Sequence, residues 1–148
     1  MTVPRFDASG NLPPGIHRAT IEEIEERFAW NGRRKRLFRG LTEALENLSS
    51  AGVKKIWING SFITSKNEPE DIDGCWEYEQ SVDVNKLDMV FLDINPPRKA
   101  MKDKYGVDFL ISTTMLIDGK DRDVLDFFQL DRNGNRKGIL LVEIGEQR

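Results

Sequence analysis

Two aspartates separated by a single residue, Asp71 and Asp73, lie in Pro69-Glu70-Asp71-Ile72-Asp73, at the start of a strand-forming run. In an extended strand, side chains two apart share one face and stand about 6.6 Å apart along the backbone, so both carboxylates address the same volume. Carboxylate oxygens suit Mg2+, a hard ion that shares its coordination with water and substrate phosphates. A third carboxylate completes a site for two cations roughly 3.5–4 Å apart. Asp108, inside the run Val107-Asp108-Phe109-Leu110-Ile111-Ser112, is the natural candidate. Upstream, Gly60-Ser61 follows the apolar run Lys55-Ile56-Trp57-Ile58-Asn59. Glycine turns sharply and leaves backbone N–H groups unobstructed, and the serine adds a hydroxyl, a combination able to hold phosphate. The spacing of a Walker loop is absent. Lys66, in the polar loop from Thr64 to Glu70, offers a point positive charge to a phosphate. Taken singly, each feature has a plainer reading as a chance D-x-D, a simple turn or a solvated lysine. Their joint occurrence carries the metal-site reading.

The elements that must position these groups follow from patterning. Thr20-Ile21-Glu22-Glu23 is a capping box that opens a helix with Ile21, Ile24 and Phe28 on one face, broken at Asn31-Gly32. A second helix is predicted from about Arg33 to Ser50, where Leu37, Phe38, Leu41, Ala44, Leu45 and Leu48 recur at three and four, and Gly52 supplies a left-handed stop. Strands are predicted at Lys55–Asn59, Ile72–Tyr78, Val107–Ser112 and Ile139–Ile144. Val84, Leu87, Val90 and Phe91 have helical spacing and predict a helix over Val84–Leu92; further helical segments are expected at Arg98–Lys104 and Asp123–Gln129. The outcome is an α+β pattern, a small mixed β-sheet flanked by helices, preceded by an extended arm over about residues 1–19.

Composition bounds the function classes. The chain has 148 residues, 39% of them hydrophobic and 32% charged, which fits one domain over 1–148. The net charge of −3 disfavours wholesale coating of nucleic acid, although Arg33, Arg34, Lys35, Arg36 and Arg39 form a local basic cluster, read chiefly as a solvated face. A single cysteine, Cys75, and a single histidine, His17, exclude the usual Cys/His zinc clusters, so any metal is held mainly by oxygen. Cys75 is expected to pack inertly in the sheet, His17 to belong to the arm, and Trp30, Trp57 and Trp76 to fill core or interface. Asp131-Arg132-Asn133-Gly134-Asn135 reads as a turn, since a calcium loop needs glycine where Arg136 stands. No apolar stretch approaches the roughly 20 residues that cross a bilayer, and the start lacks an apolar signal region. No membrane association and a cytoplasmic location are expected.

A strand ending in Gly60-Ser61, a loop, the Asp71-Ile72-Asp73 strand and the later strand Asp108 together resemble the DNA polymerase β-like nucleotidyltransferase superfamily in its small, minimal form, over about residues 33–112. The resemblance implies that Gly60 and Ser61 contact the triphosphate and that Asp71, Asp73 and Asp108 hold two Mg2+ ions, with Mn2+ as a substitute. It further implies transfer of a nucleoside monophosphate from a nucleoside triphosphate to an acceptor, with release of pyrophosphate. The chain also resembles an uncharacterised bacterial and phage family within this group, through Leu12-Pro13-Pro14-Gly15-Ile16-His17, Trp57-Ile58-Asn59-Gly60-Ser61-Phe62, Pro69-Glu70-Asp71-Ile72-Asp73 and Phe128-Gln129-Leu130-Asp131-Arg132. Two departures stand out: Phe62-Ile63-Thr64-Ser65-Lys66 replaces the Gly or Arg that many members carry after Gly-Ser, and Gly74 replaces a hydrophobic residue after D-x-D.

Two further function classes stay open beside the enzyme. One is a catalytically silent binding or regulatory module on the same fold, such as an antitoxin or a phage-defence component. The other is a globular protein whose aspartates are incidental. The chain length leaves little room for an acceptor-binding domain, so the acceptor, RNA or protein, would need a partner subunit or a homodimer to help hold it.

Overall fold

A computed structural model describes residues 3–93, 95–117 and 119–144; Met1 and Thr2 of the expected arm lie outside them. In chain order the elements are β1 (Gly15–Arg18), α1 (Ile21–Phe28), α2 (Gly32–Ser50), β2 (Lys55–Asn59), β3 (Ile72–Trp76), α3 (Lys99–Tyr105), β4 (Val107–Ile111), α4 (Val124–Phe127) and β5 (Gly138–Glu143). The strands form one mixed sheet in the order β1-β5-β2-β3-β4, an α+β arrangement. β2 runs antiparallel to β3 and β5, while β3 and β4, and likewise β1 and β5, are parallel.

Helix α1 begins as its capping box requires: Glu23 N donates to Thr20 Oγ1 and Thr20 N donates to Glu23 Oε1. α2 is capped by Asn31, whose side-chain oxygen accepts from Arg34 N. Its stripe Leu37, Phe38, Leu41, Ala44, Leu45 and Leu48 is buried, and each such leucine or phenylalanine stabilises the fold by about 1.5–3 kcal/mol. Gly40 lets α3 approach closely, because a Cβ there would lie 2.0 Å from the Tyr105 carbonyl oxygen.

The alternation of the strands divides the sheet into two faces. Ile56, Ile58, Ile72, Trp76, Val107, Phe109, Leu140 and Val142 join the main core with α1, α2 and α3. Trp57, Cys75 and Ile139 point the other way and form a smaller cluster with Val124 of α4, flanked by Leu110, Leu116, Phe128 and Leu141. This second cover is short, so part of that face stays open. Cys75 lies beneath it, fully buried. Burial, with the nearby Asp123 charge second, pushes its thiol up to about 12. Cys75 therefore remains a thiol at pH 8 and reacts with a disulfide reagent only after denaturation; stoichiometric labelling of the native protein within minutes contradicts this environment.

Three expectations are corrected. Residues Val84 to Leu92 form no α-helix; they make two short 3-10 turns, Val84–Lys86 and Met89–Leu92. Asp83 and Asp88 each accept a hydrogen bond from the backbone two residues on, which starts a local turn and competes with helix propagation. The arm is not simply extended chain, because Gly15–Arg18 adds β1 to the sheet edge, and His17 Nε2 donates to Pro13 O at 2.7 Å. Finally, the basic cluster is not uniformly solvated: Arg34 is fully buried.

Candidate metal and phosphate site

The sheet register builds the site. Asn59 of β2 is paired with Asp73 of β3, and Asp73 is paired with Asp108 of β4. Partners in register share a face, so the three side chains form a row across neighbouring strands, which lie about 4.8 Å apart. It is the less covered face, that of Trp57, Cys75 and Leu110. Asp71, just before β3, joins the row, and carboxylate oxygens of Asp71, Asp73 and Asp108 lie within 4.8 Å of one another. The structure thus brings together the three aspartates that the sequence singles out.

Gly60 makes the convergence sterically feasible. Its φ of +80° lies in the left-handed region, and a Cβ there would stand 2.3 Å from Asp73 Oδ2. Ser61 then opens a 3-10 turn, Ser61–Ile63, whose Phe62 and Ile63 are buried. Gly74, the departure after D-x-D, has a packing reason: a Cβ would fall 2.3 Å from Trp57 O and 2.7 Å from Phe109 Cε1.

The electrostatics are those of crowded negative charge. Burial, then the neighbouring Asp71 and Asp108 carboxylates, raise the Asp73 pKa to about 7, partly opposed by Lys102. Two cationic side chains already face the cluster. Arg98 donates through Nε to Asp108 Oδ1 at 2.5 Å and through Nη2 to Oδ2 at 3.3 Å. Lys102 Nζ stands 3.7 Å from Asp108 and 3.9 Å from Asp71. Arg98 adopts a left-handed backbone (φ +54°) immediately before α3, and Lys102 is on the same helix, so α3 presents both charges together.

A cleft of about 670 Å³ opens before the row. Asn59, Gly60, Ser61, Thr64, Asp73, Arg98 and Asp108 contribute polar lining; Leu110, Leu116, Val124, Phe127, Phe128 and Leu130 contribute an apolar wall, and Asp131, Arg132 and Lys137 line the cleft as well. The size and the mix of apolar wall with few polar groups are those of a small-molecule site. Lys66 does not line the cleft; it is an exposed loop residue whose carbonyl accepts from Arg34.

Arg34 is the positioning residue that the sequence hides. From the first turn of α2 its guanidinium donates to the carbonyls of Phe28, Phe62, Ser61, Thr64 and Lys66. It also lies 3.7 Å from the centre of the Trp30 ring. The loop that follows Gly60 is therefore folded around one arginine, and burial lowers the Arg34 pKa to about 10, leaving it charged at neutral pH. Asn31 Nδ2 and Arg33 tie the rest of the loop to the helix start by donating to Asn67 O and Pro69 O.

Comparison with known families adds one result. Residues 4–143 match the model of a family of unknown function, DUF6932. The chain belongs to that family. No curated protein and no solved structure matches it. Among the described residues, no helix of this DUF6932 member is long and apolar enough to cross a membrane.

Proposed function

We propose that this DUF6932 chain is a Mg2+-dependent nucleotidyltransferase that moves a nucleoside monophosphate from a nucleoside triphosphate to an acceptor. The observation that carries the reading is the convergence of Asp71, Asp73 and Asp108 beside the Gly60-Ser61 turn at the mouth of a cleft. The donor set fits the ion: three carboxylates, all oxygen, each partly exposed rather than sealed in the core. Bound between them, Mg2+ would neutralise phosphate charge and favour ionisation of an attacking hydroxyl. The chain's own groups do the positioning. Gly60 and Ser61 line the cleft, where the Ser61 hydroxyl can donate to a phosphate oxygen, and the wall from Leu110 to Leu130 offers an apolar surface to a planar base. Arg132 and Lys137 supply positive charge for a triphosphate or an anionic acceptor.

The test is direct: the purified protein is titrated with Mn2+ and a non-hydrolysable nucleoside triphosphate by calorimetry, then assayed for pyrophosphate release. Binding of both ligands, with release in the presence of an acceptor extract, is expected. Absence of nucleotide binding at millimolar concentration overturns the reading.

One observation favours the second reading, a silent module of the antitoxin or phage-defence kind: Arg98 already occupies Asp108. The two readings part on Arg98→Gln. If the carboxylates serve cations, removing this competing charge raises Mn2+ affinity by about tenfold, or about 1.4 kcal/mol. It also lowers metal-free stability by roughly 1–3 kcal/mol, since Asp108 loses its hydrogen-bonded guanidinium and keeps only Lys102 at 3.7 Å. A silent module shows the stability loss without the gain in affinity, as read by Mn2+ paramagnetic resonance and thermal melting.

A further inference from the structure

Asn59 ends β2 immediately before Gly60, in register with Asp73, and its side chain lines the cleft. It is only 8% exposed, and its Oδ1 is a buried atom without a hydrogen-bond partner among the described residues. Buried acceptors are rarely left unsatisfied, because such a group forfeits its bonds to water and gains nothing in return. An orphaned amide oxygen beside clustered carboxylates is short of a donor or a cation. Phosphate oxygens cannot satisfy it, since they too are acceptors. Ser61 and Thr64 line the same cleft, yet Thr64 Oγ1 donates to Ser61 O and neither hydroxyl reaches Asn59 Oδ1. Divalent cations take neutral amide oxygens along with carboxylates and carry bound waters whose protons point outward.

We infer that Asn59 is a fourth oxygen donor of the cation site, meeting the ion directly or through one water of its hydration shell. This inference rests on the metal-dependent reading above and deepens it. Asn59 adds an oxygen without adding charge, on the Gly-Ser side of Asp73, where a fourth carboxylate would compound the repulsion. The same position explains why a polar residue ends an otherwise apolar strand, Ile56-Trp57-Ile58-Asn59. Its unmet hydrogen bond is a local loss of stability retained at the cleft.

Asn59→Leu, close in shape and devoid of polar atoms, should leave metal-free melting unchanged or higher while lowering Mn2+ affinity by about tenfold. Asn59→Asp should do the reverse, melting lower without metal and binding Mn2+ about tenfold more tightly. Both are read by Mn2+ paramagnetic resonance and by the Mn2+-induced melting shift, beside wild type and Asp73→Asn. Wild-type Mn2+ affinity in both Asn59 variants, with affinity lost in Asp73→Asn, overturns the role of Asn59 and leaves the cation site standing. No Mn2+ binding by the wild type overturns both. An Asn59→Leu protein that melts lower without metal also overturns the inference, because the amide then supports the fold rather than a ligand.

Discussion

Asp73→Asn is expected to abolish the proposed divalent-cation binding and nucleotidyl transfer while leaving the protein folded and more stable without metal. Asp73 occupies the middle of the row between Asn59 and Asp108 and makes the closest approach to the Gly60 turn, so no other carboxylate replaces it. Loss of an outer partner of a metal ligand already weakens binding by 10–100-fold, so loss of a direct ligand should weaken Mn2+ binding by more than about a hundredfold. Transfer should fall by roughly a thousandfold or more, equivalent to about 4 kcal/mol of transition-state stabilisation. The stability effect has the opposite sign. Burial and two neighbouring carboxylates raise Asp73 to about 7 in the folded protein, against about 3.9 in an unfolded chain. The folded state therefore binds the proton more tightly, and its stability declines as pH rises between those values. Asparagine cannot ionise, so above pH 7 the variant gains on the order of 2 kcal/mol, about 4–8 °C in melting temperature. Retained transfer, or a variant that melts lower at pH 8 without metal, contradicts the assignment of Asp73.

Arg34→Met produces the largest loss of stability among the substitutions considered. Methionine fills much of the same volume but leaves the carbonyls of Phe28, Phe62, Ser61, Thr64 and Lys66 without their shared donor. Backbone carbonyls near the surface recover water, whereas those of Phe28 and Phe62, bonded in the buried interior, do not. Hydrogen bonds to a charged donor contribute about 1.5–3 kcal/mol each, and partial rehydration reduces the sum, so a loss of about 3–5 kcal/mol is expected. For a domain of this size that lowers melting by about 6–20 °C. Nucleotide binding should weaken as well, because the segment after Ser61 loses the group around which it folds. Arg34→Lys should recover only part of the stability: its ammonium keeps the charge but has three donors and no planar fork. Urea denaturation measures both variants, and a loss under 1 kcal/mol for Arg34→Met would show the loop to be held by its other contacts.

The site was legible in the sequence to the extent that chemistry is local. Asp71 and Asp73 share a side because a strand alternates, and Gly60 is required where the chain bends against Asp73. Helices α1 and α2 announce themselves by a capping box and an apolar stripe, which need only neighbouring residues. The apolar spacing of Val84, Leu87, Val90 and Phe91 misled, because the Asx turns at Asp83 and Asp88 compete locally with helix propagation, and Leu87 and Phe91 reach the core from short 3-10 turns instead. β1 was invisible: four residues with mostly exposed side chains become a strand only because β5, more than a hundred positions away, offers an edge.

Arg34 shows the same limit from the side of charge. Among Arg33, Lys35, Arg36 and Arg39 it has no sequence feature of its own; burial is decided by carbonyls that the Ser61–Lys66 segment turns inward. Arg98 likewise reads only as the first residue of a short helical segment until the left-handed turn before α3 swings it onto Asp108.

Residue type and short-range periodicity by themselves determined the oxygen-rich character of the site, the glycine bend beside it and the two long helical faces, since each depends on groups only a few positions apart. Tertiary structure alone decided that Asp108 meets Asp73, that Asn59 Oδ1 has no hydrogen-bond partner among the described residues, and that Arg34 and Arg98 are consumed within the protein. Those outcomes depend on strand register and helix placement, which are set by packing summed over the whole core.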